Sequence, residues 1–207
     1  MALTQSAGCA LTIKLALVKN WAYKETVVAG ETQSVIKDFI IEYERYKTIA
    51  EKAIAQVSEA DLNRVVSLDN NSIATIMKHI SGNLLSRFTD FLTSDGEKPW
   101  RNRDSEFEDG NYDPAELRQM WDEGWSVLTS ELSKLSDEQL GQKVYIRGQA
   151  WTVHGALCRS LAHFSYHVGQ IVFLARTLSD GQWDWISIPK GASSEYNKNP
   201  TKEKKPH

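Results

Sequence analysis

Cysteine is nearly absent from this chain. Two occur in 207 residues, Cys9 and Cys158. They are too few and too far apart for a disulfide framework, so a reducing, cytoplasmic setting is expected. No charge of one sign dominates either, with 24 Lys and Arg against 27 Asp and Glu. That balance gives no electrostatic footprint for nucleic acid or an anionic membrane as partner. No apolar run reaches the roughly 18 residues of a membrane span. Strand-like alternation is scarce and no internal repeat is visible, which sets aside sheet-based and solenoid architectures.

The first 30 residues are unlike the rest. Ala10–Val18 is mildly apolar but carries Lys14, and no clean cleavage site follows. Ser6–Ala7–Gly8–Cys9 has part of a lipoprotein cleavage box without the apolar residue upstream. The expectation is a loosely attached extension over residues 1–30, not an export signal.

What is present is helical periodicity. One apolar stripe runs over about residues 31–57 through Val35, Ile36, Phe39, Ile40, Tyr43 and Tyr46. Ser58 and Asp61 predict a short extra helix to about Val66. Ser72 caps a second long helix with Ile73, Ile76, Met77, Ile80, Leu84, Phe88 and Phe91 on one face. A charged connection follows over residues 94–113, long for a compact bundle. It carries Trp100, Arg101 and Arg103, and reads either as a lid or as a plain solvated loop. Asp113–Pro114 starts a third long helix with Leu117, Trp121, Trp125, Leu128 and Leu132 on one face. Residues 144–151 predict a small hairpin or an extended connection. Thr152 caps a fourth helix through Leu157, Phe164, Val168, Ile171 and Leu178. The pattern is an all-α four-helix bundle over residues 31–190, with a polar tail over 191–207.

Three histidines carry the chemistry. His163 and His167 are four residues apart on the fourth helix, so they leave one face about 40° apart and one turn above each other. His79 lies on the flank of the second helix's stripe. Neutral imidazole is a common ligand for zinc, nickel, copper and iron. Three such ligands leave one position open and the ion's full charge in place. Phe164 stands where the metalloprotease motif has glutamate, and no carboxylate lies between Leu157 and Ala175. Any base must come from another element. The competing reading is polar packing beside an apolar face. His154 is expected to point away from the pair, and His207 sits in the tail.

The arrangement resembles the DinB/YfiT-like metalloenzyme superfamily: four-helix bundles with one histidine on the second helix and His-x-x-x-His on the last. The matching segments are Met77–Leu84, with His79, and Leu161–Ile171, with His163 and His167. Arg87–Pro99 and Ile186–Pro189 resemble a functionally uncharacterised branch of that superfamily. The resemblance spans about Ile36–Asn197. It implies His79, His163 and His167 as the ligands of a metal ion, for which nitrogen-only ligation fits zinc and nickel. It further implies a thiol-dependent transferase or a hydrolase, a low-molecular-weight thiol as co-substrate, and a homodimer.

Three further residues are candidates for substrate contact. Asn83 and Arg87 continue the His79 column, where a cation beside a metal suits a carboxylate-bearing ligand. Arg87 can instead snorkel to the surface, and Asn83 can serve a local polar contact. Gln170 lies one turn beyond His167 and can orient it, or can simply be exposed. Cys158 reads as a small packed residue and the Trp121/Trp125 pair as core. The function expected is a metal-dependent enzyme acting on a small molecule by activating a thiol or a water. The alternative is a non-catalytic metal- or ligand-binding bundle acting in stress response or dimerisation.

Overall fold

Each long helix begins where a capping side chain precedes an amphipathic run. The computed structural model describes residues 34–201 apart from Asp109, Asp180 and Gln182. The extension expected over residues 1–30, with Cys9, lies outside the described residues, as do the last six residues of the tail. Ser34 accepts from the Lys37 amide and opens α1, Val35–Ile54. The Asp137 carboxylate accepts from the Val35 and Ile36 amides, at 2.9 and 3.0 Å, and satisfies two more free donors of that first turn. Ser58 opens the short α2, Glu59–Leu62, and Ser72 opens α3, Ile73–Phe88. Phe91 falls just past the end of α3 and is buried all the same. Asp113 caps α4, Pro114–Lys134, through the Ala115 and Glu116 amides. Thr152 caps α5, Val153–Leu178, through the Gly155 amide.

Among the described residues these elements form a mostly helical bundle with one small hairpin. α3 packs most extensively on α4, and α1 on α5, whereas α3 and α5 touch much less. The core is contiguous and centres on Phe164, 2% exposed. Its ring meets Tyr43, Tyr46, Trp121 and Trp125 with centroids 4.7–6.5 Å away. Sending Phe164 inward leaves its neighbour His163 on the flank that faces α3. α3 and α4 come close where Gly124 lies over Ser81, since a β-carbon at 124 would meet the Ser81 backbone at 3.1 Å.

The hairpin pairs β1, Lys143–Ile146, with antiparallel β2, Gln149–Thr152. Its two-residue turn puts Arg147 at φ 53° and Gly148 at φ 70°, as a hairpin matched to the strand twist requires. A left-handed arginine is disfavoured. The Asp95 carboxylate offsets this by accepting both turn amides, at 2.8 and 2.7 Å. Gly96 also donates to the Tyr145 carbonyl at 2.8 Å. The hairpin is thereby fixed to the segment that follows α3, over the end of the groove between α3 and α5. The single-turn α6, Ser193–Tyr196, inside the expected tail, had no periodicity to reveal it.

Candidate metal centre

His79 sits at the middle of α3 and His163 and His167 at the middle of α5. Where the two helices face each other, the three side chains converge. His163 Nε2 lies 3.2 Å from His79 Nε2 and 3.1 Å from His167 Nε2. All three ligating atoms fall within 4.8 Å of one another. A tetrahedral ion with metal–nitrogen bonds of about 2.1 Å holds its ligands roughly 3.4 Å apart. The cluster therefore needs little rearrangement to hold one metal ion. His79 is 3% and His167 8% exposed.

The outward ring nitrogens are also partnered. His79 Nδ1 donates to Glu106 Oε2 at 2.8 Å. His167 Nδ1 donates to Gln170 Oε1 at 2.7 Å. An imidazole protonated on Nδ1 and neutral overall carries its lone pair on Nε2. Glu106 and Gln170 thus fix the tautomers that aim two Nε2 lone pairs into the cluster. Gln170 is held in turn by donating to the Tyr166 hydroxyl at 3.2 Å.

Glu106 is the candidate site residue that the sequence reading missed. It arrives from the 3₁₀ turn Asp104–Phe107 of the long loop and is 5% exposed. Three consecutive loop residues dock on α3. Lys78 Nζ donates to the Ser105 carbonyl at 2.6 Å, Glu106 meets His79, and the Phe107 ring packs on the His79 ring at 4.6 Å. Gly82, one turn beyond His79, makes the room: a β-carbon there would collide with the Glu106 carboxylate. A glycine inside a helix is unfavourable by about 1 kcal/mol relative to alanine. It was the one available signal that something approaches the helix closely.

The loop is therefore not a plain solvated connection. Arg101 Nε and Nη2 donate to the two Glu106 oxygens at 2.8 and 2.9 Å, and the Arg101 side chain is 2% exposed. Burial pushes the Glu106 carboxyl up, but the hydrogen bonds from His79 and Arg101 and the charge of Arg101 outweigh it and hold the group below the usual carboxylate range. Glu106 stays ionised and acts only as an acceptor. Burial, followed by the neighbouring His167 and His79, pushes His163 down to about 3. Burial and His79 lower His167 likewise. Neutral imidazoles are the form a metal requires.

A cavity of about 810 Å³ opens from His79 and His163 along the groove between α3 and α5 toward the hairpin. Asn83 and Arg87 both line it. Arg87 does not snorkel outward. Its side chain is 14% exposed, it meets Glu97 Oε2 at 3.2 Å, and it donates to the Gly96 carbonyl. Trp100 lies on the exposed surface, whereas Arg103 lines the cavity. The carboxylate that the α5 segment lacks is brought to the site by another element, as Glu106. One expectation needs correction. Cys158 is not packed away: it is exposed and lines the cavity, 3.7 Å from His154 Nε2. His154 itself packs edge-on against Phe39. Trp121 and Trp125 are core residues.

Fold and site together define a helical bundle with a buried three-histidine cluster able to hold a metal ion. Over residues 30–192 the sequence matches the family described as "Protein of unknown function (DUF1572)", and the chain belongs to that family. No curated protein and no solved structure matches it. No helix among the described residues is long and apolar enough to cross a membrane.

Proposed function

We propose that this protein binds one divalent metal ion through His79, His163 and His167 and acts as a metal-dependent enzyme on a small molecule. The observation that carries this reading is the convergence of three Nε2 atoms, with the outward nitrogens of His79 and His167 partnered by Glu106 and Gln170. Polar packing alone does not call for three adjacent imidazoles with fixed tautomers. The resemblance to the DinB/YfiT-like superfamily supports the same ligand set, and its nitrogen-only donors fit zinc or nickel.

A bound ion with an open position would lower the pKa of a thiol or a water held there. The chain's own residues do the rest. Neutral imidazoles leave the ion's charge undiminished, Glu106 and Gln170 hold the rings, and the cavity admits the partner molecule. Transfer of a low-molecular-weight thiol to an electrophile is the first reading and hydrolysis the second. A homodimer in the cytoplasm is part of the same proposal.

One observation favours a non-catalytic metal-binding bundle instead. Both oxygens of Glu106 are engaged by His79 and Arg101, so it is not free to take a proton from a nucleophile. The test is metal analysis of untagged protein purified from metal-replete cells. One zinc or nickel per chain, lost in His163→Ala, is expected. Absence of stoichiometric metal in the wild type overturns the proposal. Bound metal without turnover of any thiol–electrophile pair or small ester favours the non-catalytic bundle.

A further inference from the structure

The cavity has a strongly asymmetric charge. Arg87, Arg103, Arg147 and Arg159 all line it, and no aspartate or glutamate among the described residues does. Two of these cations are already occupied. Arg87 and Arg147 share the single carboxylate of Glu97, at 3.2 and 2.9 Å. The other two are not. Arg159 stacks over the Trp151 ring, its guanidinium carbon 5.3 Å from the centroid, and pairs with no carboxylate among the described residues. Arg103 stacks over Phe107 at 4.8 Å, and the nearest carboxylate, the 98% exposed Asp104, is 4.0 Å away. Stacking covers the flat faces of a guanidinium and leaves its N–H edge as the part that can bind an anion.

Both arginines are tied to the histidines. Arg159 precedes His163 by one helical turn, a rise of about 6 Å. Arg103 precedes Glu106 in the turn docked on His79. Besides Asn83, Ser160 and Cys158, the rest of the cavity lining is largely apolar and aromatic, with Phe88, Phe91, Ile146 and Trp151 among it. An apolar chamber with a cationic edge fits an organic acid with an apolar body better than a polyhydroxylated phosphate ester.

We propose that the cavity takes a small carboxylate with an apolar body, its acid group held by Arg103 and Arg159. In placing the reacting end of that molecule at His79 and His163, this rests on the metal-enzyme reading above. The acid clamp itself does not need the metal. It also differs from the sequence expectation, which gave the acid to Arg87, a residue that Glu97 and Gly96 already hold.

The experiment uses the full chain, zinc-free, with benzoate, 3-phenylpropionate and 4-phenylbutyrate, each compared with its primary amide. Binding is read by calorimetry and by quenching of tryptophan fluorescence. At least one acid is expected to bind, with its amide weaker by a factor of about ten or more, since a hydrogen-bonded charge is involved. Arg103→Gln and Arg159→Gln should each weaken the acid about tenfold while leaving the melting temperature unchanged, because both side chains are exposed. The same acid should still bind His163→Ala. Equal affinity for acid and amide, an unchanged affinity in both arginine variants, or no acid binding in the millimolar range overturns the proposal. Acid binding that appears only with zinc, and vanishes in His163→Ala, assigns the carboxylate to the metal and also overturns it. A wild type that binds acids but no stoichiometric zinc refutes the metal reading and leaves the clamp standing.

Discussion

His79 Nδ1 and Glu106 Oε2 lie 2.8 Å apart although 27 residues separate them in the chain. This contact joins the bundle to its long loop and decides which nitrogen of His79 faces the other two imidazoles. An ionised carboxylate on Nδ1 keeps the proton there and raises the basicity of Nε2. Glu106→Gln keeps the shape and removes the charge. Zinc affinity, measured by competition with a chromogenic chelator, should fall about ten- to a hundredfold. Glu106→Ala should also destabilise the fold, by about 3–5 kcal/mol, because it leaves the buried Arg101 unpaired. Unchanged zinc affinity in Glu106→Gln would show that the carboxylate only anchors the loop.

Gly82 predicts an inverted effect of a helix-favouring substitution. Gly→Ala inside a helix ordinarily stabilises by up to about 1 kcal/mol. Here the added β-carbon meets the Glu106 carboxylate, so Gly82→Ala should push the loop off His79. The expected result is weaker zinc binding and no gain in melting temperature, by chelator competition and thermal denaturation. A stabilised variant with full zinc affinity would refute the close approach.

Acid should destabilise the metal-free protein before its carboxylates titrate. In the unfolded chain His163 takes up a proton near 6.5, whereas burial and the neighbouring imidazoles hold it neutral in the fold down to about 3. The unfolded state therefore binds more protons across that window, and stability rises with pH through it. His167, lowered in the same direction, adds to the slope. Urea denaturation in chelator between about pH 7 and 5 should show stability falling with acid. His163→Gln should flatten that dependence. Equal slopes in the two proteins would place the pH dependence elsewhere.

The bundle was legible because its helices announce themselves locally. Ser58, Ser72, Asp113–Pro114 and Thr152 cap where an apolar stripe begins, and a short-range rule reads both signals at once. The metal cluster was legible for the same reason: the His163–His167 spacing is local, and His79 lies on another strongly periodic helix. Glu106 was not, because a loop without period carries it and only the docked chain path puts it behind His79; Arg101 was read on that loop as part of a lid, but its pairing with Glu106 was not legible. Cys158 and Arg159 were misjudged or passed over because the hairpin and the sparse α3–α5 packing, not helical phase, decide that they line a cavity. The first helix was expected to run to Val57 and ends at Ile54, since apolar spacing does not mark where backbone bonds give way to a turn.

X-ray absorption at the zinc edge of the loaded protein tests the three-histidine centre most directly. Coordination by His79, His163 and His167 predicts a shell of nitrogen or oxygen scatterers at about 2.0–2.1 Å with the outer-ring signature of three imidazoles. His163→Ala should reduce that signature to two or abolish binding. A sulfur scatterer near 2.3 Å, fewer than two imidazoles in the wild type, or failure to load one ion per chain would contradict it.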